Sequence, residues 1–143
     1  MSQLISLDEL IENFEFLDDW EDRYRYLIDL GKNLDSLPDA MKTEVNRVRG
    51  CTSQVWLVHK LSADHNPSRI VFEADSDAFI VRGLVAILLA TYSNKTPDDI
   101  LNVDIESVFK RMGLERNLSL SRRNGFFSMV ERIKHIATET QAD

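Results

Sequence analysis

The residues with the clearest chemical potential lie in the stretch 47–56, which contains the only cysteine of the 143-residue chain, Cys51. Gly50 precedes the thiol and allows backbone angles closed to other residues, so a tight or mobile loop is predicted here. Arg47 and Arg49 are two residues apart, and in a strand they would point to the same face. Cations near a thiol favour the thiolate, which is the reactive form. The stretch therefore predicts a reactive cysteine at or near the tip of a loop.

A second interpretation of Cys51 stays open beside the first. A lone cysteine in an intracellular protein is often a small, buried apolar residue without chemistry. Burial would raise the pKa of the thiol, whereas the neighbouring arginines would lower it. The sequence does not decide which effect is larger.

The elements around this thiol are predicted to be strand, loop and strand. Residues 45–49 alternate in polarity, and residues 54–61 begin with a β-branched and aromatic run. Turn-forming residues at 62–68 lead into a third alternating segment at 69–74. Because the connections are short, the three strands are predicted to form a small antiparallel sheet.

Helices are predicted to pack on one face of this sheet, which makes the fold class α+β. Residues 79–92 are apolar nearly all round and should form the central buried helix. Within it, Gly83 suggests a close approach to the sheet. Residues 114–117 are predicted to be a loop. Further helices are predicted at residues 7–14, 20–33, 97–101 and 105–112, and from 118 or 119 to 137, with a frayed tail at 138–143.

Composition limits the class of protein. Hydrophobic residues make up 43% and charged residues 29% of the chain, as in soluble globular proteins, and the length fits one domain spanning residues 1–143. The net charge of −7 argues against a nucleic-acid-binding protein. A single cysteine excludes an intrachain disulfide and a self-contained cysteine-ligated metal cluster. Residues 1–6 lack signal-peptide features and no apolar run spans a membrane, so we expect a cytoplasmic protein.

The run Arg49-Gly50-Cys51-Thr52-Ser53-Gln54-Val55-Trp56 resembles the G-C-x-S-x-V-W signature of the SufE family, which are sulfur acceptors of cysteine desulfurases. The resemblance implies a SufE/IscU-like fold and extends over nearly the whole chain. In family members the block containing Asn124-Gly125 is helical, although Asn-Gly alone would favour a hairpin. Further blocks of similarity follow in family order at residues 20–24, 75–78, 81–86, 96–100 and 118–126.

The resemblance implies a function in cysteine desulfuration. A SufS/CsdA-type desulfurase, which carries pyridoxal phosphate, would pass persulfide sulfur to Cys51, and the chain would stimulate that enzyme. Cys51 would then relay the sulfur to a SufBCD-like scaffold for iron–sulfur cluster assembly. The chain itself would need no cofactor and no metal, because the partner cleaves the carbon–sulfur bond. The residues implied for the loop and for partner binding are Arg49, Gly50, Thr52, Ser53, Asp75 and Arg122.

Several alternatives remain open at this stage. Asp75 can be an ordinary helix-cap or turn carboxylate, and Arg122 a solvated helix arginine. The chain can also be a non-catalytic adaptor of the desulfurase or a stand-alone redox thiol protein, and both a monomer and a homodimer remain open. A persulfide is easily lost or oxidised, so we expect Val55, Trp56 and the helix from Phe79 to shelter Cys51 until a partner docks.

Overall fold

The computed structural model describes residues 5–51, 53–62, 64 and 67–142. Helices α1 and α2 precede a two-stranded sheet, a long buried helix follows the sheet, and four further helices complete the described chain. The elements are α1 (Leu7–Phe16), α2 (Trp20–Lys32), a 3-10 turn (Asp39–Met41), β1 (Val55–Ser62), β2 (Arg69–Ser76), α3 (Phe79–Tyr92), α4 (Pro97–Leu101), α5 (Ile105–Arg111), α6 (Leu114–Asn117) and α7 (Leu120–Ala142).

Side-chain caps set the beginnings of several helices. Ser6 accepts a hydrogen bond from the backbone N–H of Glu9 at 3.2 Å and so caps α1. Asp19 caps α2 in the same way, and Thr96 caps α4 ahead of Pro97. Each cap satisfies a backbone donor that has no partner within its helix.

The sheet has two antiparallel strands, and the prediction of three is wrong. The register of β1 and β2 runs from Val55 opposite Ser76 to Ser62 opposite Arg69. The predicted first strand, residues 45–49, meets β1 only at the isolated bridge between Arg47 and Trp56. The mixed α+β class is correct.

Local turns explain why residues 45–49 do not continue as a strand. The N–H groups of Asn46 and Arg47 donate to the carbonyls of Thr43 and Glu44, each at 3.2 Å, so the chain curls before it reaches β1. The Asn46 side chain also donates to the carbonyl of Met41 at 2.8 Å. Such side-chain bonds compete with a strand ladder, and Val45 is left 81% exposed.

Helix α3 is the centre of the core, with twelve of its fourteen residues buried. It packs on β2 and more closely on α2, where a Cβ added to Gly83 would lie 2.1 Å from the carbonyl oxygen of Leu27. A Cβ added to Gly31 would lie 2.2 Å from the carbonyl oxygen of Phe79. The close approach predicted at Gly83 therefore exists, but it is to α2 and not to the sheet.

Helix α7 is the longest element and forms the outer wall of the site described below. Its 23 residues include Asn124 and Gly125 in helical conformation, as predicted, and extend past the predicted end through Ala142. It packs on α3 and α4. The preceding residues Leu114–Asn117 form a helical turn and not the predicted loop. No helix in the described part of the chain has a stretch long and apolar enough to cross a bilayer.

Candidate functional site

Cys51 lies on a loop between the Arg47 bridge and β1, as the sequence predicted. Gly50 has a φ of 88°, a left-handed conformation that favours glycine. A Cβ on Gly50 would lie 2.5 Å from the Oγ of Ser128 in α7, so the loop backbone runs directly against that helix. The backbone angle favours glycine at position 50, and a larger residue would also have to displace the Ser128 side chain.

The side chain of Cys51 is turned inward and is half-buried. Its Sγ donates a hydrogen bond to the carbonyl oxygen of Gly125, at 3.5 Å. A Cβ added to Gly125 would lie 3.5 Å from the same sulfur. The thiol thus rests against the backbone of α7 at the one position where that helix carries no side chain.

A small cavity of about 30 Å³ lies beside Cys51. The loop forms one side, α3 the second and α7 the third, and most of the surrounding side chains are apolar. A volume of ~30 Å³ accommodates one or two water-sized atoms. The lining residues are Cys51, Ser53, Val81, Leu84, Ser121, Arg122, Gly125, Phe126 and Met129.

The lining differs in part from the sequence prediction. The helix that begins at Phe79 contributes Val81 and Leu84, as expected. Val55 and Trp56, which were expected beside the thiol, do not line the cavity, and α7 takes their place. Position 55 is completely buried within the hydrophobic core instead.

Burial determines the ionisation of the thiol. It raises the pKa of Cys51 above its ordinary value, and the positive charge of Arg47 opposes this with a smaller lowering effect. The balance left open by the sequence therefore falls on the side of a neutral thiol. At neutral pH the resting cysteine is a weak nucleophile, because the thiolate is the reacting form.

The two arginines beside the loop share one carboxylate. Arg47 Nη1 lies 3.5 Å from Glu44 Oε1, and Arg49 Nη2 lies 3.6 Å from Glu44 Oε2. The Arg49 side chain is 77% exposed and does not line the cavity. Arg47 and Arg49 therefore lie near each other, as predicted, although no strand forms there. Glu44 partly neutralises their positive charges.

Asp75 lies in the interior, away from the cavity lining, with its side chain 1% exposed. Its carboxylate pairs with the guanidinium of Arg82 and lies 3.6 Å from Lys42 Nζ. It also accepts hydrogen bonds from the backbone N–H groups of Leu37 at 3.0 Å and Ser76 at 2.8 Å. The carboxylate thus attaches the connector after α2 to the end of β2.

Arg122 and Ser53 reach the cavity, and Gly50 holds the loop on α7. Thr52, the remaining predicted loop residue, lies outside the described residues. Sequence reasoning missed Gly125 as part of the site, although a glycine inside a helix was a signal. It also missed Arg82, the one charged residue in an otherwise apolar helix.

The part of the chain that the structure describes has no group of three or more histidine, cysteine or acidic side chains arranged to hold a metal ion. Nucleophilic thiol chemistry is what the site's own residues support. An α+β fold that holds one half-buried thiol on a loop, beside a cavity large enough for about one more atom, defines a candidate thiol-based carrier.

Comparison with known proteins agrees with this class. The family model for SufE, described as an Fe-S metabolism associated domain, matches residues 8–137. An uncharacterized SufE-like protein of Rhizobium etli is 54% identical over 134 residues, which cover 94% of this chain and 90% of the relative. One of Rhizobium meliloti is 50% identical over 131 residues, covering 92% and 94%. The chain belongs to the SufE family.

A solved structure supports the fold independently. The solution structure of a hypothetical protein from Thermus thermophilus superposes with a TM-score of 0.74 at 17% sequence identity and covers 96% of both chains. At this identity the similarity concerns the fold alone.

Membership of the SufE family gives the chain a role in iron–sulfur metabolism and sulfur transfer and indicates a cysteine desulfurase as its partner.

Proposed function

We propose that Cys51 accepts sulfur from the persulfide of a SufS/CsdA-type cysteine desulfurase and relays it to iron–sulfur cluster assembly. The Cys51 thiolate attacks the outer sulfur of the desulfurase persulfide, and a new sulfur–sulfur bond forms at Cys51. The bond within the donor persulfide breaks, and the desulfurase cysteine leaves as a thiolate. The exchange conserves electrons, so it needs no oxidant and no cofactor on this chain.

The observation that carries this proposal is the position of the thiol beside the cavity. Cys51 lines a space of about 30 Å³ between the loop, α3 and α7, and its Sγ contacts Gly125, another lining residue. A second sulfur bonded to Sγ would sit there, away from small thiols and oxidants that destroy persulfides. A cysteine that served only to fill the core would have no reason to keep such a space beside it.

Docking must move the loop, because the resting thiol is both half-buried and neutral. Exchange needs an accessible thiolate. We propose that Gly50 and its neighbours Arg49, Thr52 and Ser53 turn Cys51 outward when the desulfurase binds. Removal of sulfur from the desulfurase then stimulates that enzyme.

Two further side chains support the loop in this proposal. Arg122 lies at the cavity and offers a positive charge that can orient the partner. Asp75 acts indirectly, because its carboxylate holds the connector and the end of β2 beside the loop. We propose that residues 1–143 act as one domain in the cytoplasm, where a lone thiol stays reduced, and that the final receiver is a SufBCD-like scaffold.

The test is the intact mass of the protein after incubation with a candidate desulfurase and free cysteine. The wild-type protein should gain one sulfur atom on Cys51, and sulfide release by the desulfurase should rise. Cys51→Ser should gain no sulfur and should lose the stimulation. Stimulation that survives in Cys51→Ser would favour a non-catalytic adaptor, and oxidation of Cys51 without added sulfur would favour a stand-alone redox thiol.

A further inference from the structure

We propose that Gly125 is a positioning residue whose missing side chain reserves the space for the second sulfur of a Cys51 persulfide. This inference builds on the proposed function and names a residue in α7 as the determinant of sulfur storage. It concerns where the persulfide rests between reactions, and not how it forms.

Glycine at position 125 needs an explanation, because it is the poorest helix former except proline. Gly125 lies in the interior of the 23-residue helix α7 and is buried. Its carbonyl accepts the hydrogen bond from Cys51 Sγ, a contact that any residue could make. The hydrogen bond alone therefore does not require glycine.

The resting thiol does not require glycine either. A Cβ at Gly125 would meet the Sγ of Cys51 at 3.5 Å and its Cα and Cβ at 3.8 Å, which are ordinary van der Waals distances. Gly83 and Gly31 differ in kind, since a Cβ there would come within 2.1 and 2.2 Å of backbone oxygens. At position 125 an alanine would thus fit beside the reduced cysteine.

An alanine would not fit beside the persulfide. Gly125 and Cys51 both line the cavity of about 30 Å³, and Val81 and Leu84 of α3 also belong to its lining. A methyl group at position 125 would project toward the sulfur and consume much of this space. Because interiors are close-packed, the outer sulfur and that methyl group compete for the same volume. A side chain at position 125 would therefore exclude the outer sulfur of the persulfide but would leave room for the reduced thiol.

The test loads the second sulfur without a desulfurase. Inorganic polysulfide donates a sulfur to the Cys51 thiolate, and a polysulfide shorter by one atom leaves. Glutathione is then added. Its thiolate attacks the outer sulfur and breaks the bond to Sγ, so that glutathione persulfide leaves and Cys51 is regenerated. Intact mass follows the loss of the added sulfur over time.

The expected result is that Gly125→Ala loses its outer sulfur at least about fivefold faster than the wild type, because the loaded loop rests outward. Alkylation of the reduced thiol should stay within about twofold of wild type, since the unloaded cysteine still fits. Asn124→Ala is the matched control, because alanine also raises the helix propensity at this adjacent, exposed position. Asn124 does not line the cavity. It should behave as wild type.

A rescue experiment tells whether Gly125→Ala acts by reducing the cavity volume or by stabilising helix α7. Val81→Ala removes two methyl groups from another lining residue and so enlarges the cavity. The double variant Gly125→Ala with Val81→Ala should therefore lose its outer sulfur more slowly than Gly125→Ala alone. Equal loss from Gly125→Ala and wild type would overturn the inference, and so would a wild-type Cys51 that polysulfide cannot load. Loading by polysulfide but not by any desulfurase with cysteine would instead contradict the proposed function and leave the role of Gly125 supported.

Discussion

Asp75 and Arg82 form an ion pair in the protein interior, where β2 leads into α3. The same guanidinium donates from Nε to the carbonyl of Gly31 at 2.8 Å and from Nη2 to the carbonyl of Leu34. The carboxylate in turn binds the N–H of Leu37. One buried pair therefore joins the end of α2, the following connector, β2 and α3.

We expect Arg82→Met to lower the free energy of unfolding by about 3 kcal/mol, because the buried Asp75 carboxylate would lose its guanidinium partner and keep only Lys42 as a counter-charge. Urea denaturation monitored by circular dichroism measures this change. Arg111→Met is the matched control, since Arg111 pairs at 3.3 Å with Glu15 on the surface, where both side chains are about half exposed. Its loss should be at most about 1 kcal/mol. Equal losses in the two variants would refute the structural role of the buried pair.

Gly83→Ala should destabilise the protein by about 2–3 kcal/mol, because the added Cβ would overlap the backbone of Leu27 and push α2 away from α3. Gly125→Ala is the comparison at a second helical glycine. It should leave stability unchanged or raise it by ~0.5–1 kcal/mol, because alanine is the better helix former and the site is open enough. Thermal and urea unfolding of Gly83→Ala and Gly125→Ala measure both changes in stability. A loss of stability in Gly125→Ala as large as that in Gly83→Ala would contradict the open space beside position 125.

Periodicity was sufficient to predict most of the fold. Helix α3 and strand β2 follow directly from apolar patterns, because each pattern is long and its buried face is continuous. The third strand failed because the alternation at 45–49 is short. The bonds of Asn46 to Thr43 and Met41 supply a local turn that competes with pairing to β1.

The site was only partly predictable, because its walls come from distant parts of the chain. The loop position of Cys51 follows from its neighbours, whereas its contact with Gly125 spans 74 residues. Asp75 was predicted as a loop or partner-binding residue because the family resemblance implied it, and the alternative was an ordinary helix-cap or turn carboxylate. Its burial depends on Arg82, and the sequence does not reveal that the two are partners.

The alkylation of Cys51 should show a pH profile shifted upward, because burial raises the thiol pKa in the folded protein. Iodoacetamide labelling should have its midpoint at a higher pH in native protein than in protein unfolded in urea. Arg47→Gln should raise the native midpoint further, since that cation lowers the pKa. Arg49→Gln, whose side chain is largely exposed, should change it little. A native midpoint at or below the unfolded one would contradict the burial effect.

The same shift links pH to stability. A thiol that holds its proton more tightly when folded stabilises the native state fully below its unfolded pKa, and this contribution is lost as pH rises through the folded pKa. The difference in unfolding free energy between wild type and Cys51→Ser should therefore shrink or reverse on the alkaline side. A pH-independent difference would show that the thiol does not ionise differently in the two states.

Arg122→Glu should lower stimulation of a cysteine desulfurase by about three- to tenfold, because a charge at the edge of a docking surface acts mainly on association. Its stability should remain within about 0.5 kcal/mol of wild type, since residue 122 is exposed. Arg116→Glu makes the same charge change at an exposed position outside the cavity lining and should leave stimulation intact. Equal stimulation by the two variants would remove Arg122 from the proposed docking face.

The cavity beside Cys51 takes its walls from the loop, from α3 and from residues of α7 between 121 and 129, and α7 is the last helix in the described part of the chain. A chain still emerging from the ribosome has translated its cysteine long before that helix exists. Until synthesis passes residue 129, the cysteine is an ordinary accessible thiol, open to glutathione and peroxide. Shelter of the nucleophile thus depends on α7 packing against the loop, and we expect a molecule cleaved before residue 121 to expose Cys51.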